Sequence, residues 1–211
     1  MNIENVPAER PSVYLASKSS RRQELLRQLG VEFTQLLMRE TAGRKRDIVE
    51  TPRKDELPLE YIKRIARTKA SVGWDLMGRR GLTPKPMLGA DTEVVLDGAV
   101  LGKPKDAAGA VEMLRGLSGQ THEVSTAVAV RWNKEIIITV SSSRVSFRAL
   151  ADDEIERYVA TSEPFDKAGA YAIQGRGAAF ISHLDGSYSG VMGLPLFETA
   201  EILAKIGFPV L

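Results

Sequence analysis

The order of elements predicts an α/β protein with a mixed, twisted β-sheet flanked by helices. Helical stretches are interspersed with short apolar runs, some joined in pairs by turn residues and others standing alone between helices. The paired runs are marked by Asp97-Gly98 and Asn133-Lys134, and an Asp-Gly step between apolar runs is a strong short-range hairpin signal.

Residues 13–16 read as a strand, 17–20 as a polar turn and 21–29 as a helix. Ser20 is placed as the helix cap, Gln23 at the reciprocal capping position and Gly30 as the stop. A strand at 31–37 runs into a polar stretch, 38–56, expected as a loop. Residues 58–73 carry Leu59, Ile62, Ile65, Ala66 and Ala70 at helical spacing, and 78–86 form a turn-rich connection. A strand at 87–90 delivers Asp91 at its end, and runs at 94–96 and 100–101 make the first hairpin. Asp106 starts a helix through Leu117, closed by Ser118-Gly119. Long strands follow at 123–132 and 135–147, the first with Val124, Val128, Val130 and Trp132 on one face. A helix at 152–160, a glycine-bearing loop at 165–177, a strand at 178–183 and a helix at 195–206 complete the order. No internal repeat, low-complexity stretch or domain boundary is visible. Residues 1–12 read as an N-terminal extension and 13–211 as a single domain in two lobes that share the sheet.

A chain of 211 residues is long enough to bury a real core, and its 43% hydrophobic and 27% charged residues are those of globular proteins. A net charge of only +2 gives no bulk electrostatic case for coating nucleic acid or membranes. Absent cysteine excludes disulfides, a thiolate nucleophile and a Cys-based zinc site. The first residues, MNIENVPAERPS, lack the apolar core of a signal peptide, and no window approaches the roughly 20 apolar residues of a membrane span. The expectation is a soluble cytoplasmic protein with no membrane or nucleic-acid partner.

Several residues have the right chemistry to act. The segment LASKSSRRQELL is a strand, turn and helix start, and a helix N-terminus with unpaired N–H groups suits a phosphate. Ser17, Ser19 and Ser20 supply hydroxyls there. Arg21 and Arg22 lie in the first helical turn, where cations are unfavourable for the dipole, so either they bind phosphate oxygens or they make surface ion pairs, for example with Glu24. Lys69 projects from almost the same angle as the apolar stripe of its helix; such a lysine snorkels to the nearest surface or marks a stripe that ends at a cleft. Asp91 follows an apolar strand, where a carboxylate can hold a metal or accept a proton from water, and where turn-forming aspartates are also common. Lys103 follows the hairpin on an extended path set by Pro104 and, taken singly, reads as a surface lysine. Glu50 and Glu56 lie in the polar loop, where glutamates are ordinarily solvated. His122 and His183 show no metal spacing and read as structural. Neither GxxxxGK[ST] nor GxSxG occurs. Arginines, lysines, carboxylates and hydroxyls without a thiol or histidine dyad suit metal-assisted attack of water on a polyphosphate.

Five segments occur in order: LASKSSRRQELL, RIARTKA, LGADTEVVLDGAVLGKP, MLRGLSGQTHEV and FDKAGAYAIQGRGAAFI with GSYSGVMGLPL. Together they closely resemble the Maf family of nucleotide pyrophosphatases, related in fold to the inosine triphosphatase (HAM1-like) proteins, from about Val13 to Leu203. The resemblance implies a cleft between two lobes. It also implies hydrolysis of a nucleoside triphosphate between its α and β phosphates with a divalent metal, Mg²⁺ or Mn²⁺. Asp91 matches the catalytic proton acceptor, Lys69 and Lys103 match phosphate-contacting lysines, and Glu50 falls at the family's loop glutamate. Asp91 and Glu50 are the implied metal residues. Arg21, Thr92 and Gln174 match positions associated with substrate choice, beside phosphate contacts from Ser17, Ser19 and Arg22. The form AYAIQG resembles the branch acting on dTTP and UTP; the alternatives are 7-methyl-GTP or CTP, or a nucleotide-binding regulator linked to septum formation. A homodimer is implied as well. Ser20 stands where the family commonly has proline, with little change expected because Ser20 remains a good cap. Gly190 stands where asparagine is common, a change that widens the site or removes a polar contact. The run with Arg39, Arg44, Lys45 and Arg46 either guides anionic substrates or is simply solvated.

Overall fold

The computed structural model describes residues 12–38 and 48–210, so the basic run at 39–47 and most of the N-terminal extension lie outside the described residues. In chain order the elements are β1 (Ser12–Leu15), α1 (Ser20–Gln28), β2 (Glu32–Gln35), α2 (Pro58–Arg79), β3 (Met87–Leu96), β4 (Ala99–Leu101) and α3 (Ala107–Leu117). They continue with β5 (Thr121–Trp132), β6 (Glu135–Phe147), α4 (Asp152–Val159), β7 (Ile181–Asp185), α5 (Tyr188–Met192) and α6 (Leu196–Lys205). One sheet runs β2-β1-β3-β5-β6-β7, with β4 paired to β3 beside that path. β1 is parallel to both its neighbours, and the remaining pairs are antiparallel. The mixed sheet flanked by helices is the predicted fold class.

Alternate residues of the central strands feed two cores, as a period-two pleat requires. On one face Leu88, Ala90 and Val94 of β3 and Val124, Val128 and Val130 of β5 pack with Leu25 and Leu26 of α1, Leu114 of α3 and Leu203 of α6. On the other, Met87 of β3 and Ala127 and Ala129 of β5 meet Ile62, Ala66 and Ala70 of α2. Small residues let α2 lie close to the sheet. A Cβ at Gly89 would sit 2.6 Å from the Ala66 carbonyl oxygen, 2.7 Å from the Ala70 nitrogen and 2.8 Å from the Lys69 Cβ, so no other residue fits there without moving the helix.

Several boundaries differ from expectation. α2 continues beyond Gly73 to Arg79 because Leu76 and Met77 extend its buried face, with Trp74 packed beside them. β3 does not stop at Ala90: its ladder with β5 is unbroken from Met87↔Arg131 to Val95↔Glu123, so the polar residues Asp91, Thr92 and Glu93 are held inside a strand. Ser19, not Ser20, caps α1, its Oγ accepting from the Arg22 N–H at 3.4 Å. Ser20 is therefore the first helical residue, the position at which proline is well tolerated. The predicted strand at 178–183 begins only at Ile181, after a 3₁₀ turn over Arg176–Phe180. The short α5 has no counterpart in the sequence expectation; Ser187 Oγ caps it by accepting from the Gly190 N–H at 3.0 Å. The first hairpin is as read, with Asp97 at φ 49° and Gly98 at φ 80°, the two left-handed residues a tight type I′ turn needs.

His122 is buried between Phe147 and Tyr171, both edge-on to its ring, and its Nε2 lies 2.8 Å from the Tyr171 hydroxyl. Burial pushes its pKa down to about 4. The unfolded chain therefore takes up a proton near pH 6.5 that the folded chain refuses until about 4, so this contribution to stability is present above pH 6.5 and lost as pH falls towards 4. Denaturant melts between pH 7 and 4.5 should show the wild type losing up to about 3 kcal/mol more than His122→Gln. Equal acid sensitivity would assign the loss to other groups.

Candidate active site

The site lies where the sheet has an incomplete edge. β1 last pairs with β3 at Leu15↔Leu88, and β4 first pairs at Val94↔Leu101. Between them, residues 89–93 have a strand neighbour only on the β5 side. A cavity of about 560 Å³, within the usual size of a small-molecule site, occupies this gap. Its walls bring together the residues that the resemblance assigned to the site: Ser17, Ser19, Arg21, Arg22, Glu50, Lys69, Asp91, Thr92, Lys103 and Gln174.

Asp91 and Lys69 meet because of the close packing at Gly89. Lys69 is 8% exposed, and its Nζ lies 2.8 Å from Asp91 Oδ1 and 2.9 Å from Glu50 Oε1. The stripe of α2 thus ends at a cleft, and the ammonium meets carboxylates rather than snorkelling out. Glu50 itself is half exposed. The segment that carries it is pinned to α2 by Arg64, which holds Glu56 at 2.5 and 2.6 Å and the Thr51 carbonyl at 3.1 Å. Glu56 was expected to be solvated; its fork-to-fork pairing with a partner eight residues away has no local signature.

The two arginines have different surroundings. Arg21 donates to Asp166 at 3.0 Å, across the cavity from a segment 145 residues away. Arg22 turns inward and, among the described residues, meets only neutral oxygens: the Gly193 carbonyl at 2.9 Å, Thr92 Oγ1 at 3.2 Å and Ser17 Oγ at 3.3 Å. The surface ion pair allowed for Arg22, for example with Glu24, is not formed. Burial lowers its pKa from the ordinary arginine value, with Asp91 and Glu50 opposing that shift and Arg21 adding to it. Thr126 spends its only hydroxyl proton on the Gly190 carbonyl at 2.7 Å, so in the 2.8 Å contact between the two threonines Thr92 is the donor. A directed chain runs from Arg22 through Thr92 and Thr126 to Gly190. Gly190 accordingly lies behind the cavity, not on its wall. A Cβ there would meet Ser187 at 3.1 Å and Ser141 at 3.3 Å, so the glycine is closely packed and does not widen the cavity.

Ser17 Oγ also accepts from the Ser19 N–H at 3.2 Å, which closes the turn before α1. Lys103 lines the cavity and makes no ion pair among the described residues, and the preceding Gly102 carbonyl accepts from the Gly169 N–H at 3.1 Å. That bond ties the β4–α3 connection to the segment bearing Gln174, which contains 3₁₀ turns at Glu163–Asp166 and Ala168–Ala170. Left-handed backbone at Ser162 and Ala170, φ 63° and 59°, is the local strain often found beside functional sites.

Two further lining residues escaped the sequence reading. Glu93 follows Asp91 on the same face of β3, is buried, and has an Oε2 with no hydrogen-bond partner among the described residues. Burial pushes its pKa up to about 7, helped by the negative charges of Asp91 and Glu56. Tyr61 of α2 is pushed up to about 12, by burial first and then by Asp91, Glu50 and Glu93. Only the parity with Asp91 could have drawn attention to Glu93. Among the described residues no three His, Cys, Asp or Glu side chains converge on one metal position.

A strand gap lined by carboxylates on the α2 face and, at a helix start, by an arginine that meets neutral oxygens among the described residues defines an α/β enzyme for an anionic, phosphate-bearing ligand. The chain belongs to the Maf family, since the model of the Maf-like protein family matches residues 12–206. A dTTP/UTP pyrophosphatase of Nitrosomonas europaea is 52% identical over 198 residues, 94% of this chain and 96% of that protein. One of Nitrosospira multiformis is 56% identical over 193 residues, 92% and 93% of the two chains. The Staphylococcus aureus Ham1 protein is a looser likeness, 12% identical with a TM-score of 0.44 over 67% of this chain and 72% of that one. No helix among the described residues is long and apolar enough to cross a membrane.

A half-buried cation with no carboxylate partner among the described residues should attract an anion. Tripolyphosphate at about a hundred times its dissociation constant should raise the melting temperature by about 5–10 °C. Arg22→Met should lose more than half of that rise, measured by calorimetry at the same concentration; an unchanged rise would place the anion elsewhere.

Proposed function

We propose that this chain hydrolyses dTTP and UTP to the nucleoside monophosphate and pyrophosphate. The observation that carries the reading is the Asp91–Lys69–Glu50 group facing Arg22 across one cavity. The names of the relatives, at about half identity over nearly the whole chain, support the choice of substrate.

Arg22, the N-terminal turn of α1 and Lys103 hold the phosphate chain, with Arg21 beside them. Lys69 fixes Asp91 Oδ1 by a charge-assisted bond, which leaves Oδ2 to orient the attacking water and take its proton. The lysines and arginines offset charge that builds on the phosphate oxygens and on the leaving pyrophosphate. The donor set also fits a divalent cation. Its oxygens are hard, and one of them, Glu93 Oε2, is buried without a partner. Mg²⁺ is commonly held by one or two carboxylates together with substrate phosphates rather than by a full protein cage. Asp91 and Glu50 would hold Mg²⁺ or Mn²⁺, with Glu93 beside them, and the ion would supply Lewis-acid neutralisation of phosphate charge. The exposed Gln174 amide offers both a donor and an acceptor, which match a carbonyl and the N3–H of uracil or thymine. A homodimer and the two-lobed division of residues 13–211 belong to the same reading.

A panel of nucleoside triphosphates with Mg²⁺ and Mn²⁺, analysed for pyrophosphate against phosphate, tests the proposal. Pyrophosphate should appear fastest from dTTP and UTP, and orthophosphate as the first product would overturn the cleavage position. Asp91→Asn should lower turnover by about 10²–10⁴-fold with little change in nucleotide affinity. Near-wild-type turnover would remove Asp91 from the role. Gln174→Ala should weaken dTTP and UTP selectively, whereas equal losses across the panel would exclude base reading by its amide.

A further inference from the structure

We propose that Glu163, outside the cavity, is a positioning residue for base selection that sets Gln174 and Arg21 together. The inference rests on the reading of Gln174 and Arg21 as selective residues given above. Glu163 does not line the cavity, so any effect on substrate choice must pass through other groups.

Its carboxylate gathers the backbone on both sides of Gln174. Oε2 accepts from the Arg176 N–H and Oε1 from the Gly177 N–H, each at 3.1 Å. Oε1 also accepts from the Tyr158 hydroxyl at 2.8 Å, and that hydroxyl in turn accepts from the Ala172 N–H at 3.1 Å. Gln174 is therefore bracketed two residues before and two after by groups that end on one carboxylate. Burial alone would raise the Glu163 pKa, but the bonds from Tyr158, Gly177 and Arg176 and the charge of Lys167 outweigh it and hold the group below its ordinary value. An ionised acceptor makes stronger bonds to these N–H groups than a neutral one.

The other end of the same residue reaches Arg21. The Glu163 carbonyl accepts from Lys167 Nζ at 2.8 Å, Lys167 is ion-paired with Asp166, and Asp166 holds Arg21. No regular strand or α-helix supports this stretch, only short 3₁₀ turns, so these bonds, with core packing and the Gly169–Gly102 bond, define its path. Space is matched as well: a Cβ at Gly175 would lie 2.5 Å from the Glu163 carboxylate carbon and both its oxygens. The contact can therefore be disturbed from either partner.

The test measures kcat and KM for dTTP, UTP, CTP and GTP, with melting temperatures, for wild type, Glu163→Gln, Glu163→Ala, Gly175→Ala and Gln174→Ala. Small misplacement of a recognition group costs up to about 100-fold, so Glu163→Ala should raise KM for dTTP and UTP by about 10–100-fold while kcat stays within about threefold. CTP and GTP should change less, so discrimination falls. Glu163→Gln, whose amide oxygen can keep part of the bonding, should be intermediate. Gly175→Ala displaces the carboxylate without removing it and should reproduce the loss of discrimination, which keeps the test decisive if Glu163→Ala does not fold. Glu163→Gln combined with Gln174→Ala should lose little beyond Gln174→Ala alone. Unchanged discrimination in Glu163→Gln and Gly175→Ala, or a fall in kcat at constant KM, would overturn the inference. A wild type that releases no pyrophosphate from any nucleotide would instead overturn the proposed activity.

Discussion

The approach of α2 to β3 at Gly89 is the constraint on which the site depends. Backbone from Ala66 and Ala70 fills the space that a side chain at position 89 would need, so helix and strand are in direct contact. One residue away on the helix lies Lys69, and two residues along the strand lies Asp91 on the same face. Their 2.8 Å ion pair follows from that geometry, and Glu50 joins it from the segment that Arg64 pins to the helix. A larger residue at 89 would lift α2 and separate the pair even though neither charged residue had changed. The packing also explains why a lysine is tolerated among Ile62, Ile65 and Ala66: the apolar stripe runs directly into the gap in the sheet.

Charge on the opposite side is arranged differently. Arg22 is held by three neutral oxygens, which fix its direction without neutralising it. Carboxylates and an unpaired guanidinium therefore share one cavity without collapsing onto each other. The sheet keeps them apart, because Asp91 and Thr92 are successive residues and project to opposite faces. Asp91 belongs to the α2 side, and Thr92, with Arg22 behind it, belongs to the α1 side. The incomplete edge between β1 and β4 is what lets a single cavity reach both.

Much of this was legible in the sequence, and what was not has physical reasons. The fold class, the β5–β6 hairpin and the helical face of α2 follow from local periodicity and turn chemistry. Lys69 was visible because a charge on an apolar stripe violates the pattern. The roles of Arg21 and Arg22 were harder, since neighbours on a helix differ by about a quarter turn and only the packed structure says which one faces inward. The strand containing Asp91 was cut short because three polar residues in a row resemble a terminus, whereas pairing with β5 carries the strand through them. Glu93 had only its parity with Asp91, and Asp166 and Glu163 had no local signal at all. Their meaning lies in partners reached through the fold, and no periodicity encodes a contact across 145 residues.

The unbroken ladder between β3 and β5 has a consequence for folding fidelity. A slip of one residue would exchange every side chain between the faces of β3. Thr92 would then confront Lys69, and Asp91 would be delivered to the inward-turned guanidinium of Arg22, where the two would neutralise each other internally. Such a misregistered chain would keep its composition and net charge while closing its own anion site, and it would press Leu88 or Ala90 into the space that only Gly89 fits. Anion binding therefore serves as a parity check on the strand, a readout of correct registration that secondary-structure content alone would miss.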